Sequence, residues 1–432
     1  MDTPEEMNPA RKSGSRTMID LFAGCGGLSL GFEMEGFHPL LFSEINLSAA
    51  STYMVNRRGS GVIPVGDIYS LGNDNLALLK KKWELEGVTD IDVVAGGPPC
   101  QGFSGIGHRR TFKLQKEEIP SNHLFHEMVR VVAFLRPRVF LFENVKGLLS
   151  GRWTNDAEKG EIFRDVIAGF STLEGYTARW DLLQARDYGV PQNRPRVVII
   201  GYRDDVAPHT SAQGELGIST SLGIPDGARK QGFLPAGSGK PPTLEELLGD
   251  LVDPAYSNGG STNRYPSEPA SQIQEWLRRT PGGDLMGKDH EITDHVYSRH
   301  KDWVSEKYRH MIAHGGEIPE HLKTKKFAMR VLPRSWEGNG PNITATSLPE
   351  DFVHYEQPRT PTVREWARLQ TFPDWYRFEG PRTTGGRRRA GDPEAGNWDR
   401  EVPKYTQIGN AVPVLMARAI ARHLNSILGT HE

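Results

Sequence analysis

The stretch DLFAGCGGLSLGF, Asp20 to Phe32, runs from an apolar strand through three closely spaced glycines, Gly24, Gly26 and Gly27, into the start of a helix. Glycine lets a ligand come close to backbone amides, and the helix N-terminus behind the turn points its free N–H groups the same way. A dinucleotide fingerprint needs another glycine at position 29, where this chain has Ser29, so that reading weakens. Working outward from this turn, short β-branched runs alternate with amphipathic segments from Thr17 to Tyr202. MIDLFAG, HPLLFSEI, VIPVGDI, IDVVAGG, RVFLFENV, TARWDLLQA and RVVIIGY read as strands, with helical patterns such as SAASTYMVNRR and HLFHEMVRVVAFLR between the first five. The alternation predicts an α/β fold, a Rossmann-like doubly wound and mostly parallel sheet. RDYGVPQNRP is too short for a helical crossover, so the last two strands are expected to be antiparallel.

With 432 residues the chain exceeds what one core usually serves, and a second, smaller domain is expected. Composition is that of a globular protein, and no apolar run approaches the twenty residues of a membrane span. Residues 1–16 read as a flexible tail without a secretory signal. Two cysteines, Cys25 and Cys100, give no disulfide framework and too few thiolates for structural zinc, so no metal is expected and a reducing, cytoplasmic setting fits. From Asp204 to about Tyr355 the chain is rich in Gly, Pro and Ser, the mark of an irregular second domain. TVREWARLQTFPDWYRF then reads as a short helix closed by Pro373, and NAVPVLMARAIARHLNSIL as an amphipathic helix entered through Pro413. That helix is expected to pack on the sheet, so residues 17–203 would be completed by 404–428, with 204–403 between them.

A net charge of −2 leaves no basic footprint over the whole chain. Locally, Arg359 to Arg389 holds eight arginines against three acids, either a phosphate-binding patch or a solvated loop. Glu44 ends the second strand, where a carboxylate can accept both ribose hydroxyls, and Asp67 ends the third, placed for an adenine amino group. The bland alternative makes both acids N-caps. Cys25 reads as a small apolar filler. Cys100, in DVVAGGPPCQGFSGIG, lies just past the fourth strand, on the sheet edge where open α/β folds bind ligands. A lone cysteine is more often inert core, but two prolines before it and three glycines after it make an odd home for filler.

PPCQGFS, together with DLFAGCGGLSLGF, ENV, QNRPR and YTQIGNAVP in this order, resembles the DNA cytosine-5 methyltransferases of the bacterial modification type, over Asp20 to Leu424. The resemblance implies S-adenosylmethionine as cofactor, with S-adenosylhomocysteine as product. Phe22, Gly24, Gly26, Gly27 and Leu28 would hold it from the glycine turn, Glu44 and Ile45 at the ribose, Asp67 and Ile68 at the adenine, and Pro98, Asn410 and Val412 near the methionine part. It implies Cys100 as the nucleophile that adds to cytosine C6, Glu143 at N3 and the exocyclic amine, and Arg196 at O2, with Arg194 and Gln192 orienting that corner or touching the DNA backbone. A paired cytosine is shielded by stacking, so the base must be flipped out. Residues 101–120, with Gln101, Ser104, Arg109 and Arg110, are the candidate lid over it, or else a plain surface loop.

Residues 204–403 would then read a specific sequence in double-stranded DNA. Within them, 380–403 is longer and more basic than the family pattern requires, and Arg387, Arg388 and Arg389 are candidate phosphate contacts. A cognate restriction endonuclease acting separately is a candidate partner, and a monomer is expected. A transfer-RNA cytosine-5 methyltransferase is the alternative within this chemistry. From other classes, intact Cys100, Glu143 and Arg196 argue against a catalytically dead DNA-binding regulator, and Ser29 argues against a dehydrogenase.

Overall fold

The seven apolar runs form seven strands: β1 (Arg16–Leu21), β2 (Phe37–Ser43), β3 (Ile63–Val65), β4 (Val93–Gly96), β5 (Val139–Val145), β6 (Tyr176–Gln184) and β7 (Pro195–Arg203). The computed structural model describes residues 14–99, 123–153, 157–207, 227–237, 239–323, 329–333, 341–344, 349–383 and 401–429. The strands join in one sheet in the order β3-β2-β1-β4-β5-β7-β6. Pairing is parallel from β3 to β5, and β7 runs antiparallel to both β5 and β6. Strand order reverses between β1 and β4, the crevice where such sheets bind ligands.

Helices α1 (Gly27–Glu33), α2 (Leu47–Val55), α3 (Asn73–Leu85), α4 (Leu124–Leu135) and α5 (Glu161–Ser171) connect the strands of this sheet. The region that follows carries α6 (Leu244–Leu248), α7 (Gln272–Leu277) and α8 (Asp302–Ala313), the short parallel pair β8 (Arg330–Val331) and β9 (Phe352–Val353), and α9 (Val363–Leu369). Helices α10 (Lys404–Asn410) and α11 (Val414–Leu428) end the described chain.

Side-chain alternation along the strands feeds two cores. Ile19, Val94, Phe140 and Phe142 face α4 and α5, whereas Met18, Val93, Val139 and Leu141 face α1 and α11. The C-terminal helix thus packs on the sheet's second face. There Gly31 is the contact point: a Cβ on it would lie 2.5 Å from Ala417 Cβ and 2.7 Å from the Val414 carbonyl oxygen, so only glycine lets α1 and α11 approach this closely.

A third core, between α1 and the region after β7, includes Cys25 and Leu30 along with Leu247, Trp366, Phe372 and Tyr376. Embedded in it are charges that the sequence presents as surface. Arg359, Arg364 and Arg368 are each 0% exposed, so these three arginines of the locally basic stretch belong to the interior and not to a patch for phosphate. Each has a partner or a carbonyl to hold. Arg359 clasps Glu365 at 2.7 and 2.6 Å, Arg368 binds Asp250 and Asp374, and Arg364 donates to the carbonyls of Thr293, Pro373 and Tyr376. Residues 384–400, with Arg387, Arg388 and Arg389, lie outside the described residues.

Candidate active site

Strand register lines up one row across the sheet: Val65, Ser43, Leu21, Gly96, Phe142 and Ile199 are successive partners. One residue beyond that row, on the same edge, stand Glu44, Phe22, Gly97 and Glu143. Neighbouring strands lie about 4.8 Å apart, so Glu44 and Glu143 are separated by three strand spacings, about 14 Å. The acid expected at the ribose and the acid expected at the base therefore occupy opposite ends of one crevice.

At the base end, Val145 of β5 pairs with Arg196 of β7, and Glu143 stands two residues back on the same face. This diagonal brings the side chains into contact. Arg196 Nε lies 2.6 Å from Glu143 Oε1, with Glu143 9% and Arg196 6% exposed. Burial lowers the Arg196 guanidinium from its ordinary value, and the Glu143 carboxylate works against that. The other oxygen faces β4: a Cβ on Gly97 would sit 3.1 Å from Glu143 Oε2, so the strand exit passes directly over the carboxylate. Next to it, Asn144 Nδ2 donates to the Pro98 carbonyl at 3.1 Å. Of these two consecutive side chains of β5, Asn144 holds the backbone leading to Cys100 and Glu143 lies beneath it. Cys100 itself, with Gln101, Ser104, Arg109 and Arg110, lies outside the described residues. Cys25 is fully buried, its thiol pushed up to about 12 by burial and donating to the Gln407 carbonyl, which makes it packing and not a nucleophile.

At the cofactor end, Phe22 adopts a left-handed φ of 59°, a strained conformation for a bulky residue. It is held there by its N–H on Ser43 Oγ at 3.1 Å, and the next N–H, of Ala23, donates to the Ser43 carbonyl. Gly24 N–H donates to Glu44 Oε2 at 2.9 Å, and Asn46 N–H donates to Glu44 Oε1 at 2.7 Å. Burial raises the Glu44 carboxyl against those two donors. Glu44 is not a helix cap, since Asn46 caps α2, whereas Asp67 does cap the short 3-10 turn after β3 through Tyr69 N–H. The remaining carboxylate lone pairs can still accept hydroxyls or an amine. A Cβ on Gly24 would meet nothing within 4 Å, so the turn faces open space, and beside it Ile45 is 73% exposed. A glycine turn entered through a left-handed Phe22, a carboxylate with lone pairs to spare and an exposed apolar side chain fit a nucleoside cofactor. Leu28 and Ile68, also expected at the cofactor, are buried core side chains, 5% and 3% exposed. Gly27 packs against the Val412 carbonyl, which brings the turn between α10 and α11 onto the glycine loop, and Asn410 is exposed at that turn.

Arg194 and Gln192, expected to orient the corner beside Arg196 or to touch the DNA backbone, both hold protein backbone. Arg194 is buried and donates to the carbonyls of Ile343, Gly409 and Ala411. Burial, with Arg196 nearby, holds its guanidinium well below the usual range. Gln192 donates to the Leu369 carbonyl at 2.6 Å and accepts from Ile343 N–H at 3.0 Å. Both are surrounded by backbone that needs partners, and both brace the joint between β7, α9 and α10. Sequence reasoning also missed Asn144 and the pairing of Glu143 with Arg196, because register across β5 and β7 is not visible in either motif alone.

The sheet order and the acid–arginine edge define a class I methyltransferase. The family model for C-5 cytosine-specific DNA methylase matches residues 16–426. Type II methyltransferase M.DdeI of Desulfomicrobium norvegicum is 33% identical over 418 residues, 94% of this chain and 88% of that protein. Type II methyltransferase M1.HphI of Haemophilus parahaemolyticus is 32% identical over 413 residues, covering 94% and 86%. Among solved structures, a putative DNA modification methyltransferase encoded within an Escherichia coli prophage superimposes with a TM-score of 0.64 at 25% identity, covering 96% of this chain and all of that one. The chain belongs to the C-5 cytosine-specific DNA methylase family and is a DNA cytosine-5 methyltransferase.

Proposed function

We propose that the protein methylates C5 of a flipped-out cytosine in a specific double-stranded DNA sequence through a covalent bond between Cys100 and C6. The observation that carries this reading is Glu143: one carboxylate oxygen is paired with Arg196, and the other is turned to Gly97, three residues before Cys100. S-adenosylmethionine, when bound, supplies an electrophilic methyl group and leaves as S-adenosylhomocysteine. Glu143 holds a proton at cytosine N3 and Arg196 faces O2, which draws electron density from the ring and opens C6 to attack. The Cys100 thiolate adds to C6, the electron pair moves to C5, and C5 takes the methyl group. A base then removes the C5 proton, the C5–C6 double bond re-forms and the thiolate departs.

Glu44 and the backbone of Phe22 to Gly27 position the cofactor, with Asp67 at its adenine. Residues 204–403 read the target. Relatives named Type II methyltransferases support a role opposite a separately acting restriction endonuclease. The protein acts as a cytoplasmic monomer and needs no metal.

The test incubates the protein with labelled S-adenosylmethionine and either duplex DNA or transfer RNA, then maps modified cytosines by bisulfite sequencing. Label confined to duplex DNA at one sequence is expected, and label in RNA alone overturns the substrate. Duplex DNA carrying 5-fluorocytosine should trap a covalent adduct because fluorine blocks the final elimination. An adduct that survives Cys100→Ala means another nucleophile.

A further inference from the structure

The glycine turn does not rest on the sheet alone. Gly26 has φ 82° and sits on a floor of three side chains: a Cβ on it would lie 2.8 Å from Arg57 Nη1, 2.8 Å from Tyr53 Cδ2 and 2.9 Å from Tyr376 Oη. Two of the three come from α2 and the residues just past it, close in sequence to the turn. Tyr376 comes from 350 residues further along, in the FPDWYRF segment after α9.

Its hydroxyl is placed to hold the turn. Tyr376 Oη donates to the Cys25 carbonyl at 2.6 Å and accepts from Arg57 Nη1 at 3.1 Å. Arg57 in turn donates to the Gly26 carbonyl at 3.3 Å and is fixed by Glu33 at 2.6 Å. Both carbonyls at the centre of the turn are thereby tied to one buried cluster. The Tyr376 backbone is itself pinned. Arg364 donates to its carbonyl at 3.0 Å, and Asn56 exchanges two hydrogen bonds with Arg377, at 2.8 and 2.9 Å. Two residues earlier, Asp374 is bound by Arg368 and by the Tyr265 hydroxyl.

We infer that Tyr376 is a positioning residue for the cofactor turn: the segment that follows α9 supplies, through one hydroxyl, the hydrogen bond that sets the Cys25–Gly26 backbone in its cofactor-binding conformation. This rests on the reading of the turn as the S-adenosylmethionine site. A left-handed glycine with both neighbouring carbonyls tethered is a preorganised binding surface, and loosening a tether lowers affinity without touching the reacting atoms. The region that surrounds the DNA-reading elements therefore also builds the floor of the cofactor pocket.

Tyr376→Phe removes only the hydroxyl. Isothermal titration with S-adenosylhomocysteine is expected to show dissociation weakened about 3- to 10-fold, the scale of one hydrogen bond. KM for S-adenosylmethionine should rise similarly while kcat at saturating cofactor is retained. Tyr265→Phe is the control, since it removes a buried hydroxyl of the same network at Asp374. It should destabilise comparably in thermal melts and leave cofactor affinity unchanged. If Tyr376→Phe does not fold, Arg57→Lys, which keeps the charge facing Glu33 but loses the fork that reaches Gly26, decides by the same ratio. Wild-type protein that fails to bind S-adenosylhomocysteine overturns the cofactor reading, and the inference with it. Wild-type binding with an unchanged Kd in Tyr376→Phe, or an equal loss in Tyr265→Phe, overturns the inference alone.

Discussion

Glu143 and Asp20 show how differently two buried carboxylates of one sheet are used. Glu143 has Arg196 on one oxygen, so Glu143→Gln keeps the shape and, on the proposed mechanism, takes away the acid that works at cytosine N3. Single-turnover methylation is expected to slow about 10²- to 10⁴-fold. Affinity for S-adenosylhomocysteine should stay the same, because Glu44 lies three strands away; a large loss of affinity would mean that the two ends of the crevice are not separate. Asp20, near the end of β1, points inward and accepts from Ser29 Oγ at 2.5 Å, with Tyr53 Oη 2.8 Å from the same hydroxyl. Burial raises its carboxyl to about 7, well above the ordinary value of 3.8. A raised acid binds its proton more tightly in the folded chain, so its contribution is fully present below about pH 4 and is lost as pH climbs through 7. Asp20→Asn imitates the protonated form. The melting temperature of the variant relative to wild type is expected to rise between pH 5 and pH 8, and a pH-independent difference would remove Asp20 as the titrating group. In the sequence, Ser29 was informative only as a missing glycine; its partner, nine residues back on the strand, appears only when strand and helix fold together.

Elements were legible where composition and period agree. The seven strands carry apolar, β-branched and aromatic runs of three to nine residues, and the short RDYGVPQNRP link announced the antiparallel pair. Helix α11 was legible from its apolar stripe. Its partner was not, because Gly31 in LSLGF looks like part of the glycine-rich turn when read along the chain. In three dimensions it is the notch in α1 that receives Ala417. Gly31→Ala places a methyl within 2.5 to 2.7 Å of three atoms of α11, two of them backbone. Helix propensity alone would favour alanine by about 1 kcal/mol. Overpacking of a rigid helix contact outweighs that, and a net loss of about 1–3 kcal/mol is expected in urea unfolding. A stabilised variant would mean that α1 and α11 can slide apart at little cost.

On the scale of the whole molecule, the catalytic sheet could be read from the chain because apolar residues build it, whereas the region after β7 could not, because ion pairs hold much of it. Asp250 accepts from Arg278 at 2.7 Å and from Arg368 at 2.5 and 3.0 Å, Arg278 stacks over Tyr265 at 3.6 Å, and Arg368 also binds Asp374. Written along the chain, these residues look like ordinary surface charge. Folded, they join α6, α7 and α9 inside the core that also holds Cys25 and Leu30 from the glycine turn and α1. A buried ion pair adds little over a well-packed apolar pair, but removing one partner strands the rest. Asp250→Asn takes the carboxylate from buried Arg278 and leaves Arg368 with Asp374 alone, and a loss of about 3–5 kcal/mol is expected in urea unfolding. Because this core is shared between the sheet's glycine turn and the later region, the loss should appear as a shift of one cooperative transition with an unchanged m-value, followed alike by tryptophan fluorescence and far-UV circular dichroism. Two separated transitions, with only the first moved by the substitution, would instead make the region after β7 an independently folding unit whose charges do not support the cofactor turn.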